Sequence, residues 1–278
     1  MKIVGFAQLR NELENGNLKN WFKSMEFCDS IYIYDQDSTD GSKEYYKKFK
    51  NVVVIESPIN DFTNEMKCKD VLLTKLLEEQ PDTDWIIWLD GDTILDARLT
   101  NQNAFILKMI LESHLDEEDV DSIVLGHYNL WRSDIHYRTD SLFDWLHDKG
   151  VCAIWRNNGK LKFNPVGGLH REQYPKGVDK GVRFKYNLIH RGFATDKQII
   201  RRINHYKTIP DTSWDKTDAK DYKKGSEIKA ETIERFLNED NLQVEQLTNE
   251  MIPDWFVIND IVNPKDKKRI REIYEERN

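Results

Sequence analysis

The sequence predicts an α/β protein with a mixed, mostly parallel sheet flanked by helices. Three observations carry that prediction. Short β-rich apolar runs alternate with helix-patterned segments through the first half of the chain, the spacing of strand–helix–strand crossovers. Each run ends in polar or turn residues, most clearly at Tyr34-Asp35 and Leu89-Asp90. The chain is 278 residues long, which suits one large domain or two small ones, and it can bury about three quarters of its unfolded surface without a disulfide or structural metal.

The elements follow in order. Lys2 to Ala7 reads as a strand, Leu18 to Phe27 as a helix, Ser30 to Tyr34 as a strand and Ser42 to Phe49 as a helix. Asp40-Gly41-Ser42 is a good helix start, with Glu44 in the first turn to suit the helix dipole. Val52 to Ile55 is the third strand, Asn64 to Glu79 a helix, and Trp85 to Leu89 the fourth strand. After Asp92 the alternation stops. Residues 99 to 113 pattern as a helix and Ser122 to Gly126 as a strand. Val151 to Arg156, the turn Asn157-Asn158-Gly159-Lys160 and Leu161 to Phe163 read as a hairpin, because Asn-Gly supplies the positive φ angles of a tight turn. A helix over 195 to 207 closes a first unit, residues 1 to 207. Residues 208 to 278 read as a helical appendage with amphipathic helices at Ser226 to Leu237 and Pro264 to Glu276.

Composition excludes several classes. Eight Trp, eleven Tyr and twelve Phe are too many for a solvated disordered chain. The longest apolar runs, Trp85 to Leu89 and Ile123 to Leu125, fall short of the ~18 to 20 residues of a membrane span, so no transmembrane segment is expected. The start reaches Gln8 and Arg10 too soon for a secretory leader. Cys28, Cys68 and Cys152 are widely spaced and odd in number, which predicts free thiols, a cytoplasmic location and no zinc ribbon. A net charge of −8 argues against nucleic acid as a partner. The charge is uneven, however: residues 208 to 278 hold 12 basic and 17 acidic groups, whereas Arg171 to Arg202 holds nine basic against three acidic. That local excess points to a small anionic ligand or to a solvated helix face.

The central motif is Trp85-Ile86-Ile87-Trp88-Leu89-Asp90-Gly91-Asp92. The chain holds four Asp-x-Asp triplets; Asp82-x-Asp84 and Asp119-x-Asp121 lie in acidic loops, whereas this one closes a fully apolar strand, where ligands of open α/β sheets bind. Two carboxylates there repel each other unless a cation neutralises them, and oxygen ligands suit Mn²⁺ or Mg²⁺. The second motif, Ile31-Tyr32-Ile33-Tyr34-Asp35 followed by Ser38-Thr39-Asp40-Gly41-Ser42, puts a carboxylate where it can accept hydrogen bonds from a base or a ribose. An Asx-rich turn is the alternative reading.

Together these motifs resemble glycosyltransferase family 2, over about residues 2 to 207. The resemblance implies a GT-A fold, a nucleotide-sugar donor and a metal-binding Asp-x-Asp. It makes Val4 to Glu12, with Gln8 and Arg10, similar to the family's first strand and the loop over the nucleotide, and it places Lys69-Asp70 where the family often has Arg-Asn. Trp155 to Phe163, Gly168 to Glu172, and Leu188 to Phe193 resemble a branch that includes lipopolysaccharide-core transferases, with His170 and Glu172 in place of an adjacent His-Glu pair.

The expected roles are then as follows. Gln8, Arg10, Asp35, Lys69 and Asp90 contact the nucleotide. Asp90 and Asp92 hold the ion, with His190 as a further ligand or a phosphate hydrogen-bond partner. Glu172 takes the acceptor's proton, with Asp144, Asp148 and Asp179 as rivals. Trp131, Trp155, Arg156 and His170 meet the acceptor, Tyr137 and Trp145 are further stacking rings, and Arg132 is a further candidate for phosphate or an acidic acceptor. The reaction expected is transfer, with inversion, of a sugar from a UDP or GDP sugar to a hydroxyl of a glycan or other acceptor. Two alternatives stand beside it. One is a non-catalytic nucleotide-sugar or glycan binder on the same fold. The other is a haloacid-dehalogenase-type phosphohydrolase, whose nucleophile motif Asp90-Gly91-Asp92-Thr93-Ile94 nearly matches.

Overall fold

The computed structural model describes residues 1–117, 119–143, 150–165, 174–211 and 224–277. β1 (Ile3–Leu9), β2 (Ser30–Gln36), β3 (Val52–Ser57) and β4 (Trp85–Trp88) run parallel in the order β3-β2-β1-β4. β8 (Val151–Arg156) joins β4 antiparallel, β6 (Ser122–Asn129) joins β8 antiparallel, and β9 (Gly181–His190) lies parallel to β6. β5 (Thr93–Leu95) closes the eight-stranded sheet, antiparallel to β9. The expected class, a mixed and mostly parallel α/β sheet flanked by helices, is the one observed.

Strand alternation explains the layers. Ile3, Ala7, Leu9, Ile31, Ile33, Trp85 and Ile87 face one side of the sheet and pack with Leu18, Trp21, Phe22 and Met25 of α1 (Leu18–Met25). Tyr46 of α2 (Ser42–Tyr46) and Leu107 and Leu111 of α4 (Ala97–Ser113) complete that layer. The intervening Val4, Phe6, Tyr32 and Ile86 face the other side, under Met66, Leu72, Leu73 and Leu76 of α3 (Glu65–Glu79).

The link from β4 to β5 shapes the site. Thr93 N–H donates to the Asp90 carbonyl at 2.9 Å, so the chain turns tightly there. In a flat sheet the four strand spacings from β4 to β5 would span about 19 Å. The sheet therefore curls until its β5 edge meets the carboxyl end of β4, with Leu95 N–H bonded to Ser24 Oγ of α1 at 2.8 Å.

Several elements differ from the sequence expectation. The hairpin partner Leu161 to Phe163 is not a strand; Lys162 makes a single bridge to Lys176. β8 is buried along nearly its whole length and lies between β4 and β6, so neither of its edges is open to a hairpin partner. α2 stops at Tyr46, and α4 is broken by non-helical backbone at Asn101–Ala104. The three-residue strands β5, β7 (His136–Arg138) and β10 (Val244–Gln246) carry no sequence signal of their own.

The C-terminal residues are stitched to the sheet domain. β10 pairs antiparallel with β7, and Ala97 N–H reaches the Met251 carbonyl at 3.0 Å. α5 (Asp196–Thr208) is started by a Thr195–Gln198 capping box. Its Ile199, Ile203 and Tyr206 share a core with Phe236 and Leu237 of α6 (Gly225–Leu237) and with Ile270 and Tyr274 of α7 (Ile270–Arg277). Buried Glu239 accepts from Trp131 Nε1 at 2.7 Å, from Arg132 Nη1 at 3.1 Å and from Ile270 N–H at 2.8 Å. Among the described residues no helix is long and apolar enough to cross a membrane, and Cys28, Cys68 and Cys152 are buried free thiols.

Candidate functional site

The carboxyl ends of β1, β4 and β9 converge around the Asp90–Asp92 turn. Antiparallel pairing sets Thr93 opposite His190, and Arg191 N–H bonds the Asp92 carbonyl at 2.7 Å. Asp92 Oδ2 meets Arg202 Nη2 of α5 at 2.6 Å and His190 Nε2 at 3.4 Å, while Thr93 Oγ1 stands 3.4 Å from Oδ1. Burial alone would raise the Asp92 carboxyl, but His190 and Arg202 together hold it far below the usual carboxylate range.

Two glycines show how tightly the turn is packed. A Cβ at Gly91 would stand 2.6 Å from Glu12 Cγ and 2.9 Å from Leu9 Cδ2. A Cβ at Gly192 would stand 2.5 Å from Arg202 Nη2, 2.6 Å from Asp92 Oδ2 and 2.7 Å from His190 Nε2. Only glycine lets the ring, the carboxylate and the guanidinium close on one point.

His190 Nδ1 lies 2.9 Å from Asn129 Oδ1, an acceptor that makes Nδ1 a donor and directs Nε2 at Asp92. His127 stacks beside it, ring centroids 5.6 Å apart; burial and then His190 push the His127 imidazole down to about 3, so it stays neutral. Asp90 is open to water, yet protein crowds it from behind. That crowding raises its carboxyl above the ordinary value, opposed by nearby Lys69 and reinforced by Asp92 and Glu65. Contact with water argues for a rise smaller than complete burial gives.

The other expected nucleotide residues gather here too. Gln8 Nε2 donates to the Glu65 carbonyl at 3.1 Å. Buried Lys69 pairs with Glu65 Oε1 at 2.6 Å and lies 4.0 Å from the centroid of the Trp88 ring. Asp35 is fully buried: Oδ1 accepts from Ser38 N–H at 2.8 Å and Oδ2 from the Tyr46 hydroxyl at 3.0 Å, so its carboxylate holds the turn into α2. Arg10 is exposed, and its charge, with those of Arg202 and Arg201, reaches His205, whose imidazole is lowered first by burial and then by these three.

The structure does not bring every candidate to this end. Trp155 and Arg156 sit opposite Ile86 and Trp85, at the far end of β4. Trp155 is fully buried, and Arg156 Nη1 binds the Leu115 and Glu117 carbonyls after α4 at 3.1 and 2.8 Å. Trp131 is fully buried beneath Arg138, whose guanidinium lies 4.5 Å from its ring centroid, and Arg132 is bound to Glu239 and Asp196. Tyr137 is buried too, its hydroxyl bonded to Glu245 at 2.6 Å. Asp179 precedes β9, about 30 Å of strand from His190. Glu172, His170, Asp144, Trp145 and Asp148 lie outside the described residues.

Two residues escaped sequence reasoning. Glu12 packs across Gly91, accepts from Asn17 Nδ2 at 2.9 Å and is raised by burial and by Asp92. Only its place in the loop after β1 pointed to it. Arg202 reaches Asp92 from 110 residues away, and the basic excess in 171 to 202 was its one trace in the sequence. Among the described residues no group of three or more His, Cys, Asp or Glu side chains stands ready as a ligand set for a metal ion.

No family profile and no curated protein sequence matches the chain. Among solved structures it is similar to GalNAc-T7 with UDP, GalNAc and Mn²⁺, at 12% identity and a TM-score of 0.33, over 46% of this chain and 24% of that one. It is also similar to a glycosyltransferase involved in glycosylation of the major capsid of PBCV-1, at 16% identity and a TM-score of 0.26, over 45% and 52% of the two chains. HddC from Yersinia pseudotuberculosis matches at 16% identity and a TM-score of 0.37, over 69% of this chain and 95% of that one. The match spans less than two thirds of the first two proteins. Superpositions this loose carry no argument about activity, which rests on the residues themselves.

Proposed function

We propose that the chain transfers a sugar, with inversion, from a UDP or GDP sugar to a hydroxyl of a glycan or similar acceptor. One observation carries this reading: the Asp90 and Asp92 carboxylates share the carboxyl end of the sheet with the cations Arg10, Arg201 and Arg202, which gather around His205. Carboxylates suit a divalent ion and guanidinium groups suit a diphosphate, so the two sets together fit a metal-bound nucleoside diphosphate.

Asp90, Asp92 and His190 are oxygen and nitrogen donors of the kind Mn²⁺ or Mg²⁺ takes, and a bound ion would have to draw them together, since they are not gathered as a ligand set. Asp92 and His190 Nε2 adjoin, the Asn129 contact at Nδ1 orients the ring so that Nε2 faces Asp92, and Asp90 stands open to water two residues away. A bound ion would supply Lewis-acid neutralisation of the departing diphosphate. The chain's own residues do the rest: Lys69 and Gln8 frame the nucleotide side, Asp35 holds the turn at the end of β2 in place, and the arginines draw in the phosphates. Glu172 would accept the acceptor's proton.

The test is release of nucleoside diphosphate from UDP and GDP sugars with Mn²⁺, with and without glycan acceptors. Asp92→Ala and chelator should each abolish it. Full activity in chelator removes the metal from the reading. Binding without cleavage makes the chain a nucleotide-sugar binder, and phosphate release from simple phosphomonoesters points to a phosphohydrolase.

A further inference from the structure

We infer that Arg202 is a built-in counter-ion that competes with the divalent cation for Asp92, so that metal binding and release of Arg202 toward the donor diphosphate form a single exchange. The inference rests on the metal-dependent reading above.

The contested atom is Asp92 Oδ2. Arg202 Nη2 holds it at 2.6 Å and His190 Nε2 stands 3.4 Å away. A divalent ion binds carboxylate oxygen at about 2.0 to 2.2 Å, closer than the guanidinium now lies. Both cations cannot hold that oxygen in one small space, and each repels the other. The packing leaves no slack: the Cα of Gly192 backs onto all three polar groups, with no room even for a methyl. An ion that takes Asp92 Oδ2 together with His190 Nε2 would therefore occupy the place the guanidinium now holds.

The displaced guanidinium keeps the side chain of Tyr206 beside it. It lies 4.8 Å from the centroid of the Phe193 ring, a surface on which it can slide without losing its packing. The charges of Arg10 and Arg201 reach His205 as its own does, and they oppose its approach to them until an anion joins the group. A diphosphate is that anion. The metal thus frees Arg202 for the diphosphate, and the diphosphate stabilises the freed Arg202, leaving Asp92 to the metal. Such coupling is reciprocal: whatever factor nucleotide adds to metal affinity, metal adds to nucleotide affinity. Without donor, Arg202 keeps the acids neutralised and metal affinity low.

The experiment is a calorimetric titration of the full chain with Mn²⁺ alone, comparing wild type with Arg202→Gln and Arg202→Met, the second keeping the packing on Phe193. Both variants should bind Mn²⁺ at least about tenfold more tightly than wild type, and Mn²⁺ should raise their melting temperatures by more than it raises that of wild type. Equal or weaker Mn²⁺ binding by the variants overturns the exchange and leaves the metal-dependent reading standing. No Mn²⁺ binding by any of the three overturns both. Variants that stay unfolded even with Mn²⁺ also overturn it, because the ion then fails to replace the guanidinium.

Discussion

Gly192→Ala is the sharpest probe of the site, because its effect is steric alone. The backbone at Gly192 lies outside the left-handed region, so alanine meets no conformational penalty there. Its methyl would stand 2.5 to 2.7 Å from Arg202 Nη2, Asp92 Oδ2 and His190 Nε2, against an ordinary contact of 3.4 Å or more. His190 is held by Asn129 and β9, and Asp92 by the turn, so the arginine tip is the group that moves. Overpacking of this kind costs about 1 to 3 kcal/mol. For a chain of this size each kcal/mol lowers the melting temperature by about 2 to 4 °C, so a fall of about 2 to 12 °C is expected. Differential scanning calorimetry reads that fall, and sugar transfer should drop because the ring and the carboxylate no longer close together. A variant that melts within about 1 °C of wild type and turns over normally would refute the packing argument.

Other perturbations follow from the same contacts. Asp35→Ala strips the acceptor from Ser38 N–H and from the Tyr46 hydroxyl, and at about 1 to 3 kcal/mol per unpaired buried donor it should lower stability as well as nucleotide affinity; an unchanged denaturant midpoint would count against it. Glu239→Ala leaves Arg132 and Trp131 Nε1 without their shared partner, at a cost of about 3 to 5 kcal/mol, and a thermal melt lowered by less than about 6 °C would show that Glu239 does not anchor the C-terminal residues. His127 titrates near 3 in the folded chain and near 6.5 when unfolded, so the unfolded state takes up the proton first as pH falls. Its contribution is therefore complete above about pH 6.5 and is lost between there and about 3, by at most about 1.4 kcal/mol per pH unit. His127→Phe should flatten the acid limb of stability against pH between about 6 and 4, and an unaltered limb would place the titration elsewhere.

The first four strands were legible because each is a short, largely continuous apolar run bounded by turn residues, and Leu89-Asp90-Gly91-Asp92 stood out because it closes the most apolar of them. Asp35 was legible as a strand-end acid, but not its engagement with Ser38 and Tyr46, since a buried carboxylate and a solvated one share the same sequence context. The Asn157 to Lys160 turn misled for a related reason. Turn chemistry is local, whereas the availability of a strand edge depends on β4 and β6, which lie tens of residues away in the chain. Trp131 and Trp155 are of the size and polarity of sugar-stacking rings, and only burial distinguishes a core tryptophan from an open one. Arg202 could not be paired with Asp92 from sequence, because nothing local in a charged helix says which face meets an acid 110 residues away.

The curl that joins β4 to β5 also sets the order in which the site can form. The acids leave the ribosome on residues 90 and 92, but the strand that β5 pairs with ends at His190, and the guanidinium that neutralises Asp92 follows on residue 202. Contacts that distant in sequence close slowly, because the loop between them must be ordered first. A nascent chain of about 100 residues would hold two like charges at the end of an apolar strand, with Lys69 near Asp90 but without the His190 and Arg202 that offset Asp92. Productive folding is therefore expected to wait for α5. Fragments ending before it should be aggregation-prone, and a pulse-labelling experiment should find amide protection in β5 and β9 arising together, after protection in β1 and β2.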